Sequence, residues 1–253
     1  DNAAFCNGLA NNQDTNKNRS ANQHIPQIVG TIAEYSVTND SYYYSIARNF
    51  WELNESRYAY SIGGVGTGER YKDPYTQGQQ IHGTESRGEN CETCAAYNLL
   101  KLTKDLYEYE PENAQYMDYY ERTLINQIAA SQSPDLSSGG LHGVTYMLTV
   151  DPGQRRTYDY SSFTCCMGTG MENHGKYSQF IDTHSDDSLF INLFIASKFN
   201  WKDKKLSIRQ ETHFPYEERT KLTVTKGSSP FKRMLRYPGW INKGALKVSV
   251  NGK

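Results

Sequence analysis

Two cysteine runs carry the reactive groups of this chain. Cys165 and Cys166 are adjacent and precede Met167-Gly168-Thr169-Gly170, and Cys91-Glu92-Thr93-Cys94 sets a carboxylate inside a CxxC. Adjacent cysteines rarely bridge each other, because the small ring strains the peptide and spoils disulfide geometry. Their thiols suit one common target better. Four sulfurs and a carboxylate are the donor inventory of a zinc site. Three chemistries fit these residues: a closed structural zinc, a zinc-thiolate catalytic site, and a redox dithiol. The redox reading lacks the strand-before, helix-after setting of a thioredoxin-like CxxC. The structural reading must accept a vicinal pair where a second CxxC is usual. Cys6 stands apart, and five cysteines at these spacings do not read as a disulfide scaffold.

The elements that must position these groups follow from periodicity. Residues 1–20 are polar and asparagine-rich and read as irregular. From His24, Ile25, Ile28, Val29, Ile32 and Ala33 form one apolar face, with Pro26 in a first turn. Asn39-Asp40-Ser41 caps a second helix with Tyr43, Ile46, Ala47, Phe50 and Trp51 inward. A third helix is expected from about Glu92 to Tyr109, ended by Pro111, with Ala95, Leu99, Leu102 and Leu106 on one face. A fourth is expected from about Asn113 to Ala130, and a fifth from Met171 to about Asp182. On this reading Cys91, Glu92 and Cys94 occupy the first turn of one helix, and Cys165 and Cys166 lie just before another. Helix N-termini carry partial positive charge and favour thiolates.

Between these elements, 58–90 and 132–160 read as loops, with a β-leaning run at 144–150. Gly63-Gly64-Val65-Gly66-Thr67-Gly68-Glu69 follows a short extended segment, but its spacing is not GxGxxG and no helix opens after it. It reads as a loop that delivers Glu69 to a cleft. Near 184–188 the period changes from 3.6 to 2. Strands are expected at 189–195, 205–209, 221–225, 232–236 and 246–250, an antiparallel sandwich pattern. The domain expectation is a helical part over 1–186 and a β part over 187–253.

Composition narrows the partners. The 253 residues carry a formal net charge of -1, which supplies no basic field for nucleic acid and no polybasic membrane patch. No apolar run approaches membrane-spanning length. Hydrophobic residues make up 37%, low for a self-contained globule of this size, and tyrosine is abundant at 20 residues. Tyrosines can line a wet groove that suits sugars, or fill helix interfaces. No apolar leader is visible, and the chain stops at Asn251-Gly252, a hairpin signal without a returning strand. The expectation is a piece of a longer protein. Compartment and oligomeric state stay open.

Three runs carry a family resemblance: Glu92-Thr93-Cys94-Ala95-Ala96-Tyr97-Asn98-Leu99-Leu100-Lys101-Leu102, Asp118-Tyr119-Tyr120-Glu121-Arg122, and Cys165 through His174. They resemble the β-L-arabinofuranosidases of glycoside hydrolase families 127 and 146, as do Arg236-Tyr237-Pro238-Gly239-Trp240 and Val250-Asn251-Gly252 later on. The resemblance implies the later helices of an (α/α)6 barrel followed by the start of an antiparallel β-sandwich. It implies zinc (Zn2+) held by Glu92, Cys94, Cys165 and Cys166, with Cys91 not a ligand. It implies Cys165 as nucleophile, Glu69 as acid/base, and retaining release of L-arabinofuranose from arabinose-containing oligosaccharides or polysaccharides. His24 and Tyr146 match sugar contacts. Ser20 stands where many relatives have a histidine, which opens a second reading: an inactive or carbohydrate-binding relative with a structural zinc.

Overall fold

The computed structural model describes residues 2–83, 87–135 and 143–253. The loop expectations for 58–90 and 132–160 lie outside the described residues at 84–86 and 136–142. The chain divides into two compact units, Asp1–Gly175 and Lys176–Lys253.

The first unit is helical: α1 Asn2–Ala10, α2 Ala21–Thr38, α3 Ser41–Arg57, α4 Gln77–His82, α5 Thr93–Tyr109, α6 Ala114–Thr123 and α7 Cys165–Asn173. α5 is its hub and packs against α2, α3, α6 and α7. Its buried residues include Ala95, Ala96, Leu99, Leu100, Leu102 and Leu106, wider than one stripe, as a helix enclosed by neighbours requires. Trp51 of α3 donates its indole N–H to Thr103 of α5 at 2.8 Å, which settles the one polar atom of a buried ring.

Several expectations need correction. Residues 2–10 are helical, because Phe5 and Leu9 form a fully buried i, i+4 pair in a polar background. α2 begins three residues before His24, capped by the Ser20 hydroxyl, so Pro26 is its sixth residue and not in its first turn. α4 was not expected. α7 covers 165–173 in place of 171–182, since Thr164 caps it by accepting from Met167 N. The two cysteines are therefore the first residues of that helix. Run 144–150 makes only isolated bridges, Val144 to Gln132 and Asp159, and Met147 to Glu92.

Tyrosines 71, 116 and 119 fill interfaces and are fully buried. Tyr71 donates to Asn54 Oδ1 at 2.7 Å and Tyr119 to the Gly63 carbonyl at 2.7 Å. The second contact fastens the glycine-rich segment to α6. Gly63 has φ +94°, and a Cβ there would lie 1.9 Å from Thr123 Oγ1. One on Gly64 would lie 2.2 Å from Gln127 Oε1 and 2.7 Å from Cys91 Cβ. The Gly-Gly pair thus serves close approach to the helix face Tyr119–Thr123–Gln127. Beyond Thr123 this helix continues as a π turn, Leu124–Ile128.

The second unit holds two three-stranded sheets, ordered β1-β2-β6 and β3-β4-β5, with β1 Asp182–His184, β2 Ser188–Ile191, β3 Ser197–Trp201, β4 Leu206–Thr212, β5 Thr220–Lys226 and β6 Lys232–Leu235. Leu189 and Ile191 of one sheet share a core with Trp201, Leu206 and Ile208 of the other. The expected all-antiparallel pattern fails at one ladder: β2 and β6 run parallel, Leu189 opposite Arg233. Run 246–250 forms no strand, and its Val248 and Val250 are exposed.

Replacing Gly63 by alanine is expected to destabilise the protein by at least about 2 kcal/mol in urea unfolding, from positive-φ strain and the clash with Thr123. Gly78→Ala, in α4 with open space around it, is expected to be neutral or stabilising by up to about 1 kcal/mol. Equal effects at the two sites would refute this account of the Gly-Gly turn.

Candidate metal and catalytic centre

Helices α5 and α7 pack together, and their first residues carry the candidate donors. Glu92 is the N-cap residue of α5, Cys94 its second residue, and Cys165 and Cys166 open α7. Backbone bonds fix the approach. Thr93 N donates to the Tyr146 carbonyl at 3.0 Å, and Thr93 Oγ1 donates to the Thr145 carbonyl at 2.9 Å. Gly170 of α7 seats against Val144, whose methyl would lie 3.0 Å from a Cβ there. Segment 144–147 is thus wedged between the two helix starts.

The donor atoms of Glu92, Cys94, Cys165 and Cys166 all lie within 4.8 Å of one another. Cys94 Sγ is 3.2 Å from Cys166 Sγ and 3.2 Å from Thr169 Oγ1, and Cys165 Sγ is 3.8 Å from Glu92 Oε1. Glu92, Cys94 and Cys166 are buried, and Cys165 is exposed. One carboxylate oxygen, Glu92 Oε2, is buried without a hydrogen-bond partner. An ionised carboxylate in that state is costly unless a cation balances it. Three soft sulfurs and that carboxylate fit a thiophilic divalent ion. Cys91 is outside the cluster: it is fully buried, holds φ +62°, and its carbonyl accepts from Gln127 Nε2 at 2.6 Å.

The protonation pattern agrees. Burial, then the Cys94 charge, pushes the Glu92 carboxyl up to about 8. The hydrogen bond between Cys94 and Cys166 brings the Cys94 thiol down to about 6. The same bond pushes the Cys166 thiol up, and burial raises that of Cys165. A bound divalent ion would favour release of the protons that burial holds on these groups.

Glu69 reaches this cluster through Tyr146. The Tyr146 hydroxyl donates to Glu69 Oε1 at 2.5 Å and stands 3.6 Å from Cys165 Sγ. Glu69 is exposed and sits in a two-residue hairpin turn, Thr67-Gly68-Glu69-Arg70, closed by hydrogen bonds of 2.9 and 3.2 Å. Gly68 and Glu69 have φ +57° and +61°, the type I′ arrangement. His24 is elsewhere engaged: its Nδ1 meets the Ser20 carbonyl at 2.8 Å and its Nε2 meets Arg19 at 3.3 Å. Neither partner belongs to the cluster. Thr169 and Gln127 escaped the sequence reading. Thr169 follows the cysteines by one helical turn, and Gln127 continues the polar i, i+4 series from Tyr119 and Thr123.

A family model described as "Beta-L-arabinofuranosidase, GH127 catalytic domain" matches residues 1–179, and one for the GH127 middle domain matches 188–253. The chain belongs to the GH127 family of glycoside hydrolases. Three solved structures share its fold. A GH127 β-arabinofuranosidase matches with a TM-score of 0.73 at 23% identity, over 89% of this chain and 34% of that one. A structure titled as a glycoside hydrolase matches with 0.71 at 21%, over 90% and 41%. A GH127 β-L-arabinofuranosidase from Geobacillus stearothermophilus T6 matches with 0.67 at 22%, over 88% and 36%. The chain therefore spans well under half the length of these GH127-fold structures. A search of curated proteins finds no match.

The Glu92 value yields a pH test. Between 4.5, its ordinary value, and about 8, the folded ion-free protein holds a proton that the unfolded chain has released. Stability therefore falls as pH rises through that window. Cys94, with its lowered value, acts in the opposite sense only above about 6. From pH 4.5 to 6 the ion-free protein is expected to lose about 2 kcal/mol relative to its Glu92→Gln variant. Parallel pH profiles for the two in urea unfolding would contradict the burial assigned to this carboxylate.

Proposed function

We propose that this chain carries the catalytic centre of a retaining glycoside hydrolase that releases L-arabinofuranose from plant-type glycans. The single observation behind this reading is the Tyr146 hydroxyl, which touches both the exposed Cys165 thiol and the exposed Glu69 carboxylate. A nucleophile and an acid/base so close, both open to solvent, suit a double displacement at one carbon.

In the first step Glu69 gives its proton to the departing glycosidic oxygen while the Cys165 thiolate attacks the anomeric carbon. A thioglycosyl-enzyme forms and the aglycone alcohol leaves. In the second step Glu69 takes a proton from water as that water attacks the same carbon and sulfur departs as thiolate. Glu69 is restored as the acid, and two displacements leave the anomeric configuration retained. Zinc, held by Glu92, Cys94, Cys165 and Cys166, would keep Cys165 ionised against the burial that otherwise raises its thiol. Glu92 and Cys166 have no part in proton transfer. Tyr146 orients Glu69 and borders the sugar. The sugar contact inferred for His24 requires its ring to exchange Arg19 for a substrate hydroxyl.

We further infer that the helical unit contributes helices to an (α/α)6 barrel and that the second unit, whose first strand is β1, begins a β-sandwich. The bound partner is an arabinose-containing oligosaccharide or polysaccharide. A closed structural zinc is less well supported, because Cys165 is exposed.

Hydrolysis of a β-L-arabinofuranoside by the full-length protein is expected to fall at least about 10⁴-fold in Cys165→Ser and about 10²–10⁴-fold in Glu69→Gln, each with unchanged fold. Activity that survives both substitutions rules out these roles. Stoichiometric zinc with no hydrolysis of any arabinoside by the wild type favours the binding relative.

A further inference from the structure

Gln127 is buried and polar, lies in the π turn after α6, and has no role in the chemistry above. Its Nε2 donates to the Cys91 carbonyl at 2.6 Å, while its Oε1 is buried without a partner. An apolar side chain of similar size would fill this space without stranding an acceptor, so packing alone does not account for the glutamine. Its amide is placed at a junction. Cys91 holds a left-handed backbone, one residue before the ligand Glu92 and three before Cys94. The Cys91 carbonyl also accepts from Leu148 N at 3.1 Å, and its N–H donates to the Gly66 carbonyl at 3.2 Å. Gly66 leads into the hairpin that carries Glu69. On the other side, Gly64 lies so near the Gln127 amide that a Cβ would meet Oε1 at 2.2 Å. Gln127 thus touches the segment entering the Glu69 hairpin and the segment entering the Glu92–Cys94 helix start. A π turn, a form that clusters at functional sites, presents it there.

We propose that Gln127 is a positioning residue: its amide holds the left-handed Cys91 peptide and so fixes Glu92 and Cys94 for ion binding, in register with the Glu69 hairpin. The inference rests on the metal reading above. Partners that orient ligands typically change metal affinity about 10–100-fold when removed. The test is zinc affinity, by chelator competition, of the full-length wild type and its Gln127→Leu variant, with circular dichroism and urea unfolding of the ion-free forms beside it. The expected result is zinc bound about 10–100-fold more weakly by a variant that keeps its native dichroism. Should the leucine variant fail to fold, Gln127→Met, of similar length and without a donor, is expected to show the same weakening. Zinc affinity within twofold of wild type in a folded variant, whatever its stability, overturns the inference and leaves the metal site standing. A wild type that takes up no zinc overturns the metal reading and this inference with it.

Discussion

The helical unit gathers a mostly buried cluster of ionisable groups between two helix starts, and the candidate site depends on what balances their charge. Three sulfurs and the Glu92 carboxylate are brought within 4.8 Å, and three of the four residues are buried. Burial alone would force protons onto these groups, as the raised Glu92 and Cys165 groups show. Two features oppose that pressure. The N-terminal ends of α5 and α7 present partial positive charge to the thiols. The donor set itself is matched to a soft divalent cation, which would balance the charge that burial penalises. The exposure of Cys165 then has a purpose: one sulfur faces solvent while its neighbours anchor it.

The proposed chemistry also needs a carboxylate held near that sulfur on a separate piece of chain. The hairpin turn at Gly68-Glu69 meets that need with two positive-φ residues, and a glutamate in that conformation costs about 1–2 kcal/mol relative to glycine. The turn is supported on both flanks. Ala21 N donates to the Glu69 carbonyl at 2.9 Å, and Gly68 N donates to the Glu89 carbonyl at 2.8 Å. Beneath it, the Gly63-Gly64 step rests on Thr123 and Gln127. Strain at the tip is thus opposed by hydrogen bonds along the stem, a common division of labour at reactive sites.

Much of this was legible in the residues. The helical faces of α2, α3, α5 and α6 follow apolar periodicity, and the change to period 2 correctly announced the β part. The two cysteine runs marked the centre by their chemistry, but the choice of Glu92, Cys94, Cys165 and Cys166 over Cys91 came from the family resemblance, because spacing alone does not show that the Cys91 side chain turns away into the core. What failed has particular physical causes. Gly168 and Gly170 argue against a helix, yet α7 needs a small residue at 170 to seat against Val144. α1 hides because only Phe5 and Leu9 anchor it among polar residues. The pleated pattern at 144–150 has single loop residues as partners, so it forms bridges and no sheet. The glycine-rich run suggested a loop that delivers Glu69; the reason for its glycines lies in Thr123 of α6 and Gln127 of the following π turn, far along the chain, where no local pattern can show it.

The most direct measurement is the absorption spectrum of the protein after cobalt(II) is added to the ion-free form. One cobalt per chain with an intense near-ultraviolet thiolate-to-metal band, lost when Cys94 or Cys166 becomes serine, is the predicted result. Cobalt that binds without that band, or a band indifferent to both substitutions, would show that the sulfurs do not share one ion.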